Sequence, residues 1–282
     1  MLFRKPRPGH PFLGGAPVLA AHRGGAALAP ENTMTAFRRA VGDWDADMLE
    51  MDVRLTADGR VVVLHDATVD RTTDGSGPVR DMPWDAVRQL DAGYRFRDPA
   101  GEFPYRSRGV RIPLFDEVLD EMPKMRIMVE PKVAEAAGPL VEVIRVRGAE
   151  HRVLIGAEFE RTRDGARGYG GPMGASRNQV LPFWLLHRVP GIGRWYVPAI
   201  DAFQVPERSG RYRVVTPAFV RAAHRANIPV HVWTVDDPAD MRRLLEWGVD
   251  GIQTDRPDLL ADLLTEVSGR PPAPARVREG GR

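Results

Sequence analysis

The chain has 282 residues and a formal net charge of +2, from 40 lysines and arginines against 38 aspartates and glutamates. Hydrophobic residues make up 43% and charged residues 28%, which supplies a sizeable core and excludes global disorder. There is no cysteine, so disulfides, zinc thiolates and cysteine nucleophiles are excluded, and bases scattered among acids offer no concentrated face for a nucleic acid.

Residues 1–14 are rich in Pro, Gly, Arg and Lys and read as a flexible tail. They contain no apolar stretch of the kind a secretory signal needs. No apolar run reaches the roughly 18 residues of a spanning helix, so a cytoplasmic protein is expected.

From residue 17 onward, short β-branched runs alternate with segments of helical period. PVLAAHRG (17–24) predicts a strand and NTMTAFRRAVG a helix stopped by Gly42. DMLEMDVRL (47–55) predicts a second strand, and DGRVVVLH (58–65) another after an Asp-Gly turn. Residues 67–110 are full of turn formers without period and read as an insertion after the second βα region, placed to cap a site. PLFDEVLDEM predicts a helix, RIMVEPK (126–132) a strand, EAAGPLVEVIRVRG a helix and HRVLIGAEF (151–159) a strand.

The segment 181–199 groups Phe183, Trp184, Trp195 and Tyr196 with Arg188 and Arg194. It reads as barrel core or as a peripheral membrane contact on the inner membrane face. From residue 201 the alternation is regular: DAFQVP, TPAFVRAAHRAN, IPVHVWTV, DPADMRRLLEWG, DGIQTD and RPDLLADLLTEV. Residues 269–282 have the composition of a disordered tail. Repeated βα units imply a parallel sheet. Their number and the chain length favour an α/β fold of the (β/α)8 TIM-barrel type over residues 15–268.

In such a barrel the reactive groups sit at the C-terminal ends of the strands. His22 and Arg23 end the first strand. Glu50 and Asp52, two apart and so on one face, lie near the end of the second. His65 and Asp66 end the next run, and Glu130 and Lys132 end RIMVEPK. Glu50, Asp52 and Glu130 offer hard oxygen donors suited to Ca²⁺ or Mg²⁺. The two histidines have the chemistry of a general acid and base, and Arg23 and Lys132 that of phosphate neutralisation. Asp66 either orients His65 or caps a turn. His231 lies two residues before Trp233 and reads as a barrel-layer residue, and Arg71 as an anchor of the insertion.

These motifs carry a resemblance. AHRGGAALAPENTMTAFRRAV, LEMDVRLTADGRVVVLHDATVDRTTDGSG, PLFDEVLDEMP, VEPK and VWTVDDPADMRRLLEWGVDGIQTDRPDLL follow one another as in the glycerophosphodiester phosphodiesterases, over residues 18–260. The resemblance implies His22 and His65 as the acid/base pair, and Glu50, Asp52 and Glu130 as ligands of a divalent metal. It implies Arg23 and Lys132 on the phosphate, and Trp233 against the glycerol or alcohol moiety. The reaction implied is hydrolysis of a small glycerophosphodiester to sn-glycerol 3-phosphate and an alcohol. Lysophospholipase D action and a catalytically silent phosphodiester-binding barrel are the alternatives. Two positions depart from the family pattern: Glu158 stands where members usually have Ser, and Pro131 where many have a β-branched residue. The first puts a negative charge near a phosphate site; the second is tolerated at a strand end.

Overall fold

A computed structural model describes Phe12, Gly14, Gly15 and residues 17–189 and 196–280. Its centre is a parallel sheet built from β1 (Val18–Ala21), β2 (Met48–Leu55), β4 (Arg126–Pro131), β5 (Val153–Ile155), β6 (Phe203–Pro206), β9 (Val230–Trp233) and β10 (Gly251–Thr254). The strands run in the order β5-β4-β2-β1-β10-β9-β6. The gap between β5 and β6 is closed by two residues: Met173 bridges to Ile155 and Gly174 to Ala202, both in parallel sense. The expected (β/α)8 barrel is therefore present, with Met173–Gly174 as a rudimentary fifth strand.

One strand, β3 (Val61–Val63), runs antiparallel to the far end of β2, in register Val53↔Val63. A short hairpin, β7 (Arg208–Ser209) and β8 (Tyr212–Arg213), follows β6 outside the barrel.

The helices wrap the sheet: α1 (Met34–Trp44), the single turn α2 (Trp84–Val87), α3 (Phe115–Glu121), α4 (Ala134–Val146), α5 (Glu160–Asp164), α6 (Arg177–Leu186), α7 (Pro217–Arg225), α8 (Pro238–Glu246), α9 (Pro257–Ser268) and α10 (Pro274–Gly280). Local chemistry sets several starts. Thr33 Oγ1 accepts from Ala36 N, Thr216 Oγ1 from Phe219 N, and Asp237 from Ala239 N and Asp240 N. Each such cap is worth about 1 kcal/mol. Pro217 and Pro238 sit in the first turn, where the missing N–H costs nothing.

On the outer face of β2, Leu49, Met51 and Val53 are fully buried against the helices, which aims Glu50 and Asp52 into the barrel. A separate apolar cluster, including Phe12, Val18, Met48, Met128 and Leu154, fills the N-terminal end of the barrel.

Four expectations need correction. Helix α1 runs past Gly42 to Trp44 and ends at Asp45, whose φ of 52° supplies the left-handed turn. A single glycine costs a helix about 1 kcal/mol, which the buried Trp44 offsets. The tail 1–14 is not wholly apart from the fold, because Phe12 is buried in the barrel base. The tail 269–282 contains α10, fixed by burial of Ala273 and Ala275 and by ion pairs of Arg276 with Asp262 and Arg278 with Asp43. Finally, segment 67–110 is packed: Val69, Val79, Val87 and Val110 share a small apolar cluster with Val62, Leu64, Ile112 and Leu114, which flank it. None of its residues lines the barrel-mouth pocket.

Candidate active site

A pocket of about 470 Å³ opens at the C-terminal ends of the strands. It collects His22, Arg23, Glu50, Asp52, His65, Glu130, Lys132 and Trp233, which is every candidate drawn from the sequence.

The turn after β1 determines how His22 and Arg23 enter. Arg23 has φ 50°, rare for a residue with a side chain, and Gly24 follows at φ 85°. A Cβ on Gly24 would stand 2.7 Å from the Ala36 Cβ, so glycine is required both for its backbone and for the approach of α1. The strained turn directs Arg23 N at Glu50 Oε2, 2.9 Å away. Backbone strain of this sort costs about 1–3 kcal/mol and persists only where surrounding contacts impose it.

The carboxylates follow from register. Asp52 on β2 pairs with Glu130 on β4, and Glu50 lies two residues back on the same face. Lys132 Nζ stands between the first two, 2.9 Å from Asp52 Oδ1 and 3.0 Å from Glu130 Oε2. Arg23 Nε is 3.2 Å from Asp52 Oδ2, and Asn32 Nδ2 donates to the same oxygen at 3.0 Å. Both cations that sequence assigned to phosphate are thus held on carboxylates.

The electrostatics divide the two buried acids. Burial, reinforced by the charge of Asp52, pushes Glu50 up to about 7. Burial acts on Asp52 in the same direction, but Lys132 and Arg23 outweigh it and keep this acid below its ordinary range. Near neutrality Asp52 is ionised while Glu50 is about half protonated.

Each histidine is gripped at Nδ1 by a carboxylate. His22 Nδ1 donates to Asp255 Oδ1 at 2.7 Å, and His65 Nδ1 to Asp66 Oδ1 at 2.6 Å. That leaves Nε2 of each for the pocket, and His22 Nε2 lies 3.8 Å from Glu50 Oε2. Burial would lower the pKa of His22, yet Glu50 and Asp255 overcome it and raise it. Asp66 also accepts from Arg71 Nε, which with the His65 contact holds it at about 2. Arg71 continues to Glu31, and Glu31 to Arg23. A chain of charge-assisted bonds therefore runs from His65 to Arg23. Asp66 orients His65, and Arg71 ties the start of the insertion to the site.

Asp255, Glu31 and Asn32 were not found from sequence. Their signal was present in part, since Asp255 ends the strand DGIQTD and Glu31-Asn32 lie within the PENT motif. His231 is buried in the barrel interior, where the absent side chain of Gly251 makes room for its ring. Glu158 is exposed at the pocket rim beside Arg177.

The donor chemistry fits a hard divalent cation. Three carboxylates face the pocket, and burial together with the charge of Asp52 raises Glu50 to about 7, an effect that a cation would offset. Among the described residues no trio is drawn tightly enough to form a ready cage, because the Lys132 ammonium holds Asp52 and Glu130.

A (β/α)8 barrel with two carboxylate-gripped histidines beside buried acids, flanked by Arg23 and Lys132, presents the chemical groups that hydrolysis of a phosphate ester calls for. Residues 22–167 and 181–259 match the model of the glycerophosphoryl diester phosphodiesterase family, and the chain belongs to that family. It is 38% identical over 257 residues to a probable glycerophosphodiester phosphodiesterase 2 of Mycobacterium tuberculosis, covering 89% of this chain and 91% of that one. A glycerophosphodiester phosphodiesterase of Caldanaerobacter subterraneus is 33% identical over 259 residues, covering 88% and 97%. The crystal structure of a glycerophosphodiester phosphodiesterase from Agrobacterium tumefaciens superposes with a TM-score of 0.70 at 27% identity, covering 87% of this chain and 99% of that one.

Proposed function

We propose that this chain hydrolyses glycerophosphodiesters to sn-glycerol 3-phosphate and an alcohol, with His22 and His65 as the acid/base pair. The supporting observation is the matched pair of Nδ1–carboxylate bonds, which fixes both imidazoles with Nε2 available to a reacting group. A water, or the substrate's own 2-hydroxyl, loses its proton to one imidazole as its oxygen bonds to phosphorus. The phosphorus–oxygen bond to the alcohol breaks, and the other imidazole returns a proton to that oxygen. If the 2-hydroxyl attacks, the product is a cyclic phosphate, which water opens in a second passage.

Glu50, Asp52 and Glu130 would hold a divalent cation, Ca²⁺ or Mg²⁺, which supplies charge stabilisation at the phosphoryl oxygens. Arg23 and Lys132 orient and neutralise the phosphate, for which Lys132 turns from its two carboxylates toward the pocket. Trp233 stands at the pocket wall as an apolar platform for the substrate's carbon atoms. The alternative of a silent binding barrel gives no reason for two oriented imidazoles.

A second reading places the enzyme at a membrane surface, with lysophospholipid as substrate. Its support is on α6 and just beyond it: Leu181 (53% exposed), Leu185 (51%) and Val189 follow one another at spacings of four, and Arg188 lies over the Trp184 ring. Trp184 itself is half-buried and donates to Arg213 O, so it belongs to the scaffold. Residues 190–195, including Arg194 and Trp195, lie outside the described residues. No described helix is long and apolar enough to cross a membrane.

The test is release of glycerol 3-phosphate from glycerophosphocholine, with EDTA, Mg²⁺ and Ca²⁺ arms and a His22→Ala control. Release that needs both a cation and His22 is expected. Phosphodiester binding by calorimetry without any turnover would make the barrel a receptor instead.

A further inference from the structure

Below the charged groups, the same pocket has a polar floor that catalysis does not use. Gln204 on β6 and Gln253 on β10 both line it, and they are only 8% and 2% exposed. Neither is satisfied: Gln204 Oε1, Gln204 Nε2 and Gln253 Nε2 have no hydrogen-bond partner among the described residues. Buried amides without partners are rare in folded proteins, and such groups mark places where something else completes them.

The placement is built. Gln204 lies two residues before Pro206 and Gln253 two before Asp255, one layer beneath the strand ends on the inner face. The Gln204 carboxamide rests over Gly174 and Gly156; a Cβ on those residues would come within 2.8 Å and 3.3 Å of its Oε1. Beneath, Met128 belongs both to the pocket wall and to the apolar cluster that seals the barrel base. The recess is therefore short, closed at the bottom and floored by the two glutamines, with one unpaired acceptor and two unpaired amide donors just beneath its surface.

That combination selects its occupant. An anion would face the acceptor Oε1, and a cation the two NH₂ groups. A hydroxyl donates and accepts at once and satisfies both. An alkyl chain would leave all three atoms dry and unpaired. We propose that Gln204 and Gln253 read the free terminal hydroxyl of the substrate's glycerol arm, and that they set the enzyme's preference for unacylated glycerophosphodiesters over lysophospholipids. The phosphate then lies at the level of His22, Lys132 and Arg23, and the variable alcohol points to the open mouth near Glu158 and Arg177. This inference rests on the hydrolytic reading above, and it counts against lysophospholipid as the substrate.

The experiment uses the full chain with cation and three diesters. These are glycerophosphocholine, a soluble short-chain 1-acyl lysophosphatidylcholine, and bis(p-nitrophenyl) phosphate, which has no glycerol. The wild type is expected to favour glycerophosphocholine over the acylated diester by at least about 100-fold in kcat/KM, because a site built for a hydroxyl rejects analogues that cannot pair with it. Gln204→Met and Gln253→Met conserve volume and remove the amide. In each, the ratio of kcat/KM for glycerophosphocholine to that for bis(p-nitrophenyl) phosphate is expected to fall at least about tenfold. The preference over the acylated diester should shrink with it. Equal losses on both diesters, or a wild type indifferent to acylation, would overturn the proposal and leave the amides solvated by water only. Gln204→Glu and Gln253→Glu, which keep the size but add charge, guard against a Met variant that misfolds: the same selectivity change is expected, and its absence in a folded Glu variant would also overturn the proposal. No release from glycerophosphocholine by the wild type, with bis(p-nitrophenyl) phosphate still cleaved, would instead sink the glycerophosphodiester reading and this one with it.

Discussion

Asp255 reaches His22 across 233 positions of sequence and accepts its Nδ1 proton at 2.7 Å. The two residues follow adjacent strands, β10 and β1, whose register pairs Ala21 with Thr254. The carboxylate fixes both the tautomer and the rotation of the ring. Asp255→Asn removes the charge that favours the required tautomer, so kcat is expected to fall about 10²-fold or more with little change in KM. A comparable rise in KM, with kcat preserved, would mean that Asp255 serves substrate binding and not the imidazole. Steady-state kinetics on glycerophosphocholine separates the two.

Lys132 neutralises Asp52, a carboxylate almost wholly removed from solvent. Lys132→Met leaves that charge with Arg23 and Asn32 alone, which is expected to cost about 3 kcal/mol in urea denaturation. A divalent cation should recover more stability in this variant than in the wild type, since it takes the place of the lost ammonium between Asp52 and Glu130. Stability indifferent to Mg²⁺ and Ca²⁺ would argue that these carboxylates hold no metal.

His231 makes the fold sensitive to acid. Burial lowers its pKa from 6.5 to about 4. Between those values the unfolded chain binds the proton and the folded one does not, so stability is present in full above 6.5 and declines as pH falls toward 4. The loss is on the order of 3 kcal/mol for a shift of that size. His231→Leu is expected to flatten the pH dependence of the urea midpoint over this window. An unchanged difference between pH 7 and pH 4.5 would place the acid sensitivity elsewhere.

Phe12 plugs the barrel base although it precedes the first patterned element. Phe12→Ala removes a fully buried ring from a site lined by Met48, Met128 and Leu154, at a cost of about 3–5 kcal/mol. Differential scanning calorimetry would register this as a lowered Tm. A Tm within a degree of the wild type would mean that the residue contributes nothing to the core.

The strand-end residues were legible because a strand alternates its side chains and each reactive pair sits two apart. Glu50 and Asp52 needed only that rule, and Glu130 followed from the next parallel strand. Pairings between distant segments were not legible in the same way. Nothing near Asp255 in sequence names His22, and Gln204 and Gln253 read as ordinary positions in short apolar strands. The fifth strand escaped detection because two residues have no period. Helix α10 escaped because a Pro-, Gly- and Arg-rich composition lowers intrinsic helicity, while its stability comes from Ala273, Ala275 and the partners of Arg276 and Arg278. The role of Asp66, undecidable from sequence, was settled by its bonds to His65 and Arg71.

The two-residue closure at Met173–Gly174 separates the barrel into unequal halves. On one side β1, β2, β4 and β10 carry His22, the carboxylates and Lys132, and His65 follows β3, which pairs with β2. The other half, β5 through β9, contains that closure and carries Gln204, Trp233 and the glycines beside Gln204. A substitution on the second half can reshape what the enzyme accepts without disturbing how it cuts. Descendants of this chain that change diet should therefore differ around Gly156, Gly174, Gln204 and Gln253, while the residues at the ends of β1, β2 and β4 stay as they are.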